Sequence, residues 1–174
     1  MFVMEFYIQE DRGIIMYSFT NDYSEGAHYR IIEALSKINN EQNTGYGLDQ
    51  YCYETTNILN DNVDIHYLVG GTQTNATFIA SALKPYQAVI AVDSGHINVH
   101  ETGAIEATGH KVLTKVHKDG KLTTEIIKKI IEEHQDEHMV QPKMVYISQT
   151  TEYGTVYTLN ELKEIYYFCK KNQL

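Results

Sequence analysis

The sequence has no tryptophan, only 2 prolines and only 2 cysteines among its 174 residues. Two thiols, Cys52 and Cys169, are too few for a disulfide framework or a cysteine-based zinc site, so reduced thiols and a cytoplasmic location are the expectation. With so little proline, and no stretch rich in glycine or serine, composition marks no linker or domain boundary. No run approaches the ~20 apolar residues that span a bilayer. Cations are scarce too: 14 Lys and Arg stand against 23 Asp and Glu, a net charge of -9. No basic block offsets this, which argues against nucleic-acid and anionic-membrane partners. What remains, 43% hydrophobic and 21% charged residues, is the make-up of an ordinary globular chain.

Residues 1–15 carry no basic segment and no small-residue cleavage site, so they read as a poor signal peptide. They also lack a clear helix or strand period. They are expected to be a non-native or unstructured extension, with Met16 the true start and 16–174 the folded part. Beyond Met16 the pattern alternates. Ile31, Ile32, Ala34, Leu35 and Ile38 recur at helical spacing. Asp64 to Val69 reads as a strand ending at Gly70-Gly71. Thr74 to Leu83 reads as a helix, and Ala88 to Val92 as a strand covered on both faces. A short helix over His100 to Ala107, ended by Gly109, precedes a strand at Lys111 to Val116. Thr123 or Thr124 caps a helix with the stripe Ile126, Ile127, Ile130 and Ile131. Met144 to Ser148 is a further strand and Asn160 to Lys171 a further helix. Strands alternating with helices predict an α/β fold with a parallel sheet, its ligand at the carboxyl ends of the strands.

Five segments could carry chemistry. Gly70-Gly71-Thr72-Gln73-Thr74-Asn75 joins a strand to a helix, where free backbone N–H groups and the helix dipole suit a phosphate. It is neither a Walker loop nor G-x-G-x-x-G, and a Thr-capped turn explains it equally. Asp93-Ser94-Gly95-His96 puts an imidazole at the carboxyl edge of the sheet, to face a planar ligand or simply bond backbone. His96 and His100 have the i, i+4 spacing of a shared metal, as do His134 and His138, but no third ligand is apparent and no metal is expected. Ser148-Gln149-Thr150-Thr151-Glu152-Tyr153-Gly154-Thr155 collects polar groups after a buried strand. Asn21-Asp22-Tyr23-Ser24-Glu25-Gly26-Ala27-His28 is a polar turn that N-capping alone explains.

In order along the chain stand Phe19-x-Asn21-Asp22-Tyr23-Ser24-Glu25-Gly26-x-His28, Gly45-Tyr46-Gly47-x-Asp49 and Gly70-Gly71-Thr72-Gln73-x-Asn75. Ser94-Gly95-His96-Ile97-x-x-x-Glu101-x-Gly103-Ala104 and Tyr146-Ile147-Ser148-Gln149-x-Thr151-Glu152-x-Gly154-Thr155 follow. Together they resemble the N-terminal half of the low-specificity threonine aldolase and aromatic amino-acid β-eliminating lyase family. The resemblance implies a three-layer, parallel-sheet core like the large domain of fold-type-I pyridoxal-phosphate enzymes, apparently truncated. It implies a lyase acting on a small amino-acid substrate, by C–C cleavage or β-elimination, with pyridoxal 5'-phosphate as cofactor and a homodimer or homotetramer as assembly. By that resemblance Gly71, Thr72 and Gln73 would hold the cofactor phosphate and His96 would stack on its ring. Gln149 and Thr151 would lie beside the ring. Asn21 and Asp22 would stand near the substrate carboxylate, with Asn in place of the family's Ser. Tyr46, Asp49 and Glu101 would sit near substrate or a subunit interface. Thr151 stands where many threonine aldolases carry His.

The chemistry also needs a Schiff-base lysine and an Asp in an Asp-Gly-Ala-Arg strand. Neither motif occurs here. The chain is therefore expected to be a fragment that is inactive alone, marginally stable or partner-dependent, with Asp64 to Val69 lacking a sheet neighbour. The alternative is a non-catalytic α/β module that binds a phosphorylated ligand at the Gly71 turn.

Overall fold

The computed structural model describes residues 5–10, 13–18, 25–59 and 63–174. The chain divides into two compact units, Met1–Ile65 and His66–Leu174. The division falls inside the apolar segment 64–69 rather than in a linker, so composition could not mark it.

In the first unit, β1 (Glu5–Glu10) and β2 (Gly13–Ser18) pair antiparallel, with Ile8 opposite Ile15 and Tyr7 opposite Met16. The ladder pairs backbone groups, so its register does not require an alternating side-chain pattern. Helix α1 (Tyr29–Ile38) starts at His28, whose Nδ1 accepts the Arg30 N–H at 3.2 Å. Helix α2 (Gln50–Leu59), which the sequence reading does not anticipate, starts at Asp49. The Asp49 carboxylate accepts the Cys52 N–H at 2.9 Å, the bond of an N-cap. Neither helix has a buried residue.

The second unit is built on a parallel sheet of β3 (Gln87–Val92), β4 (Val112–Lys115) and β5 (Gln141–Val145), in the order β4-β3-β5. All six residues of β3 are buried, as its unbroken apolar run requires of a central strand. One face of β3, with Ala88, Ile90 and Val92, packs with Ile127 and Ile130 of α5 (Thr124–Glu133) and Ile165 of α6 (Leu159–Lys171). The other face, with Val89 and Ala91, packs with Ile79 of α3 (Gly71–Ala82), Ile97 of α4 (His96–Val99) and Ile105. The result is the expected α/β sandwich, a parallel sheet between two helical layers. Burying each of the valines and isoleucines among these contributes roughly 1.5–3 kcal/mol before entropy is counted.

Register is regular except in β5, where Pro142 pairs with Ala88 and Met144 with Val89. Lys143 is the extra residue of a bulge. Helix α5 begins at Thr123, whose hydroxyl accepts the Ile126 N–H. Helix α6 begins with a reciprocal capping box between Thr158 and Glu161.

Two expectations are corrected. Asp64 to Val69 forms no strand. Its β-rich composition finds no ladder partner among the described residues, and strand propensity alone does not make a strand. The helix expected over His100 to Ala107 is instead a short α4 over His96–Val99 and a single 3-10 turn at Glu106–Thr108. Gly109 ends that turn with φ +89°, as its position predicts. Among the described residues no helix is long and apolar enough to cross a membrane.

Candidate active site

Strands β3 and β5 run the same way, so Ser94–His96 and Ser148–Glu152 emerge at one edge of the sheet, the carboxyl edge. A hollow of about 530 Å³ lies at the opposite edge, lined by Tyr86, Gln141 and Pro142 where these strands begin. In parallel α/β sheets ligands sit at the carboxyl edge, and the polar groups are there.

The tight exit from β3 depends on Gly95. A Cβ at Gly95 would stand 3.0 Å from the Val92 carbonyl oxygen and 3.3 Å from the Ala91 Cβ. That turn sends His96 directly into α4, where the sequence reading had it before the helix. The His96 ring nitrogen Nδ1 is 2.9 Å from Oε1 of Glu101, whose side chain is wholly buried. The same Glu101 oxygen accepts the side-chain N–H of Asn75 at 2.6 Å. On the other side, the His96 backbone N–H donates to Oε1 of Glu152 at 2.8 Å, and the Ser148 hydroxyl donates to that oxygen at 2.7 Å. His96 is thus held through its ring by Asn75 and Glu101, and through its main chain by Ser148 and Glu152. Three buried polar atoms at this edge, Ser94 Oγ, Glu101 Oε2 and Glu152 Oε2, have no hydrogen-bond partner. Such atoms are costly to bury and mark a site whose polar inventory is open.

Asn75 ties this edge to the start of α3. Gly70 is the N-cap of that helix and supplies no side-chain bond. Gly71, Thr72 and Gln73 form its first turn, two positions earlier than a cap at Thr72 would start it, and all three are exposed. The Gln73 side chain accepts the Val69 N–H at 3.0 Å, and the Thr74 hydroxyl donates to the Gly70 carbonyl at 3.0 Å. A twelve-residue helix that opens on two glycines presents backbone donors with no side chain in front of them.

Gln149 and Thr151, beyond β5, bond within their own loop. Gln149 spends its amide on one residue, accepting the Tyr157 N–H at 2.9 Å and donating to the Tyr157 carbonyl at 3.1 Å. Thr151 is buried, its hydroxyl within 2.7 Å of the Thr155 hydroxyl and accepting the Thr155 N–H at 3.2 Å. Both hold the 149–157 loop. Tyr157 anchors that loop from inside, accepting the Leu122 N–H at 2.6 Å, and burial pushes its hydroxyl pKa upward. Tyr46 is fully exposed at φ +65°, and Asp49 caps α2, both in the first unit. The Cys52 thiol and N–H bonds to Asp49 hold its carboxyl below the usual range. Asn21 and Asp22 lie outside the described residues. His134 closes α5 with Nδ1 2.8 Å from the Ile130 carbonyl, and His138 faces solvent beside Asp136. No group of three His, Cys, Asp or Glu side chains among the described residues is placed to share a metal ion.

The sequence reading assigned no role to Asn75 or Glu152, although both lie inside quoted motifs. Asn75 meets Glu101 across 26 residues and Glu152 meets His96 across 56, beyond any local spacing.

Known proteins resemble this chain over most of its length. A family model described as beta-eliminating lyase matches residues 27–174. A low specificity L-threonine aldolase of Pseudomonas sp. (strain NCIMB 10558) is 31% identical over 159 residues, covering 88% of this chain and 46% of that protein. Its counterpart in Pseudomonas aeruginosa is 30% identical with the same coverage. A solved Leishmania major threonine aldolase structure matches with a TM-score of 0.87 and 47% identity, over 90% of this chain and 47% of that one. The chain spans about half the length of the relatives it matches.

Proposed function

The chain belongs to the beta-eliminating lyase family, and on that premise we propose that it carries the cofactor-binding face of a pyridoxal 5'-phosphate-dependent amino-acid lyase of threonine-aldolase type. The observation that carries this reading is the chain of bonds from Asn75 through Glu101 to His96. It fixes an imidazole beside a helix N-terminus that offers open backbone donors, the two contacts that a phosphorylated, planar, aromatic cofactor needs.

The residues fit that group. The first-turn N–H groups of α3 would take the phosphate, helped by the positive end of the helix dipole. Gly70 and Gly71 keep the approach clear, since a Cβ at either would meet nothing within 4 Å. His96 would lie along the ring face. Gln149 and Thr151 would act by holding the 149–157 loop behind it. Asn21 and Asp22 are proposed for the substrate carboxylate, and Tyr46 and Asp49 for substrate or subunit contacts, while Glu101, wholly buried, would act through His96. When bound, the cofactor's protonated ring is an electron sink for the carbanion left by C–C or C–X cleavage. The segments that form this edge among the described residues, 71–75, 94–101 and 148–157, carry no lysine to hold the cofactor covalently. The proposed role of this chain is therefore to bind phosphate and ring without completing turnover alone.

Titration of the isotopically labelled chain with pyridoxal 5'-phosphate tests this. The amide resonances of Gly71, Thr72 and Gln73 should shift, and inorganic phosphate should compete. Borohydride reduction followed by peptide mapping should find no single modified lysine. Unmoved α3 amides would remove the reading, and a uniquely labelled lysine would restore catalytic competence to the chain.

A further inference from the structure

Two carboxylates grip His96, but they grip different parts of it. Glu152 holds only the main chain, while Glu101 meets the ring. The Glu101 oxygen at the ring also accepts from Asn75, whose NH₂ can only donate. An oxygen already accepting at 2.6 Å is the carbonyl-type oxygen of the group, so any proton on Glu101 belongs on its other oxygen. His96 Nδ1 must then be the donor.

We propose that Asn75 and Glu101 are positioning residues that fix His96 as the Nδ1–H tautomer, so that its Nε2 edge meets ligands as a hydrogen-bond acceptor. The inference rests on the reading above that His96 faces the ligand. The hydrogen bond at one imidazole nitrogen decides the state of the other. Glu101 is fully buried while the His96 side chain is 46% exposed, so the open part of the ring is the part away from Nδ1. The His100 ring stands alongside, centroids 5.4 Å apart and tilted by 53°. The ionisable neighbours are thus Glu101 at Nδ1, Glu152 at the main chain and His100 beside the ring. An acceptor edge takes a ligand hydroxyl or ammonium in preference to a carboxylate oxygen. That makes this pair a filter on which part of an amino-acid substrate can rest against His96.

The test is the tautomer itself, read from long-range nitrogen–proton correlations of the His96 ring in the full chain, above the pH at which imidazole titrates. The wild-type ring should show the Nδ1–H pattern. Glu101→Gln keeps a neutral acceptor and should keep that pattern. Glu101→Leu should exchange the two nitrogen resonances toward the Nε2–H form preferred by free imidazole, and Asn75→Ala should give a mixture. A wild-type Nε2–H ring overturns the proposal without any variant, so a variant that fails to fold does not shield it. An unchanged tautomer in Glu101→Leu overturns it equally, and an unchanged one in Asn75→Ala removes Asn75 from it. The outcome is independent of cofactor: amides of α3 that ignore pyridoxal 5'-phosphate would defeat the functional reading while leaving the tautomer result standing.

Discussion

Helices α1 and α5 are each ten residues long, and each carries four large aliphatic side chains on one stripe. In α5 the stripe is covered: Ile127 and Ile130 are 0% and 1% exposed against the sheet and α6. In α1 it is bare, with Ile31, Ile32 and Leu35 each more than half exposed. The two sequences obey the same period, so the difference lies in what stands opposite. Periodicity says that a face wants cover and where that face is, but the cover comes from elsewhere in the fold.

The comparison can be broken most sharply in the core. Ile127→Ala should destabilise the chain by about 2–5 kcal/mol, whereas Ile32→Ala should change it by less than about 0.5 kcal/mol. Urea midpoints would measure both, and equal costs would mean that α1 is covered in solution. Next in size is the turn that aims His96. Gly95→Ala forces a Cβ against the Val92 carbonyl, and overpacking of that kind costs about 1–3 kcal/mol. It should also move the His96 amide resonance, while Gly45→Ala, which meets nothing within 4 Å, should not disturb its own unit.

Helix caps sharpen the contrast at a smaller scale. Thr158→Ala removes half of the α6 capping box and should cost about 1 kcal/mol, read from the thermal midpoint. His28→Ala at the start of α1 should cost less, because that helix buries nothing whose loss would follow. The smallest effect is in pH. The Thr158 N–H, with Lys121 and the Thr158 hydroxyl, holds Glu161 from 4.5 down to about 2. A carboxyl lowered on folding stabilises above its ordinary pKa, and that contribution is lost as pH falls from about 4.5 through about 2. Acid titration of α6 should show the loss, and Glu161→Gln should flatten it. Helix α1 has no acid in its first turn and should show no counterpart.

Much of the second unit was legible because its signals are local. The run Ala88 to Val92 announces a strand buried on both faces, and Thr123 before an isoleucine stripe announces α5. Helix α2 was not, since Tyr51, Cys52 and Tyr53 break any apolar stripe. Asp64 to Val69 was misread because strand composition does not reveal whether a ladder partner exists. The site divides in the same way. His96 and Glu101, five residues apart, stand in one motif and are bonded in the fold. Asn75 and Glu152 reach that site only through tertiary structure, so their part in it could not be read from spacing.

The bulge at Lys143 has an arithmetic meaning. Side chains along a strand alternate, and an uneven count moves every later residue to the opposite face. By absorbing one residue, Lys143 keeps Met144 and Tyr146 on the α3 side and Val145 and Ile147 on the α5 side. The chain could lose that one residue and keep this parity, leaving Ser148 and Glu152 in step with His96. Losing Val145 instead would transpose the faces and carry both side chains out of phase with the imidazole they serve. In β5, position 143 is therefore where the length of the chain is free to vary, and the positions that follow it are where it is not.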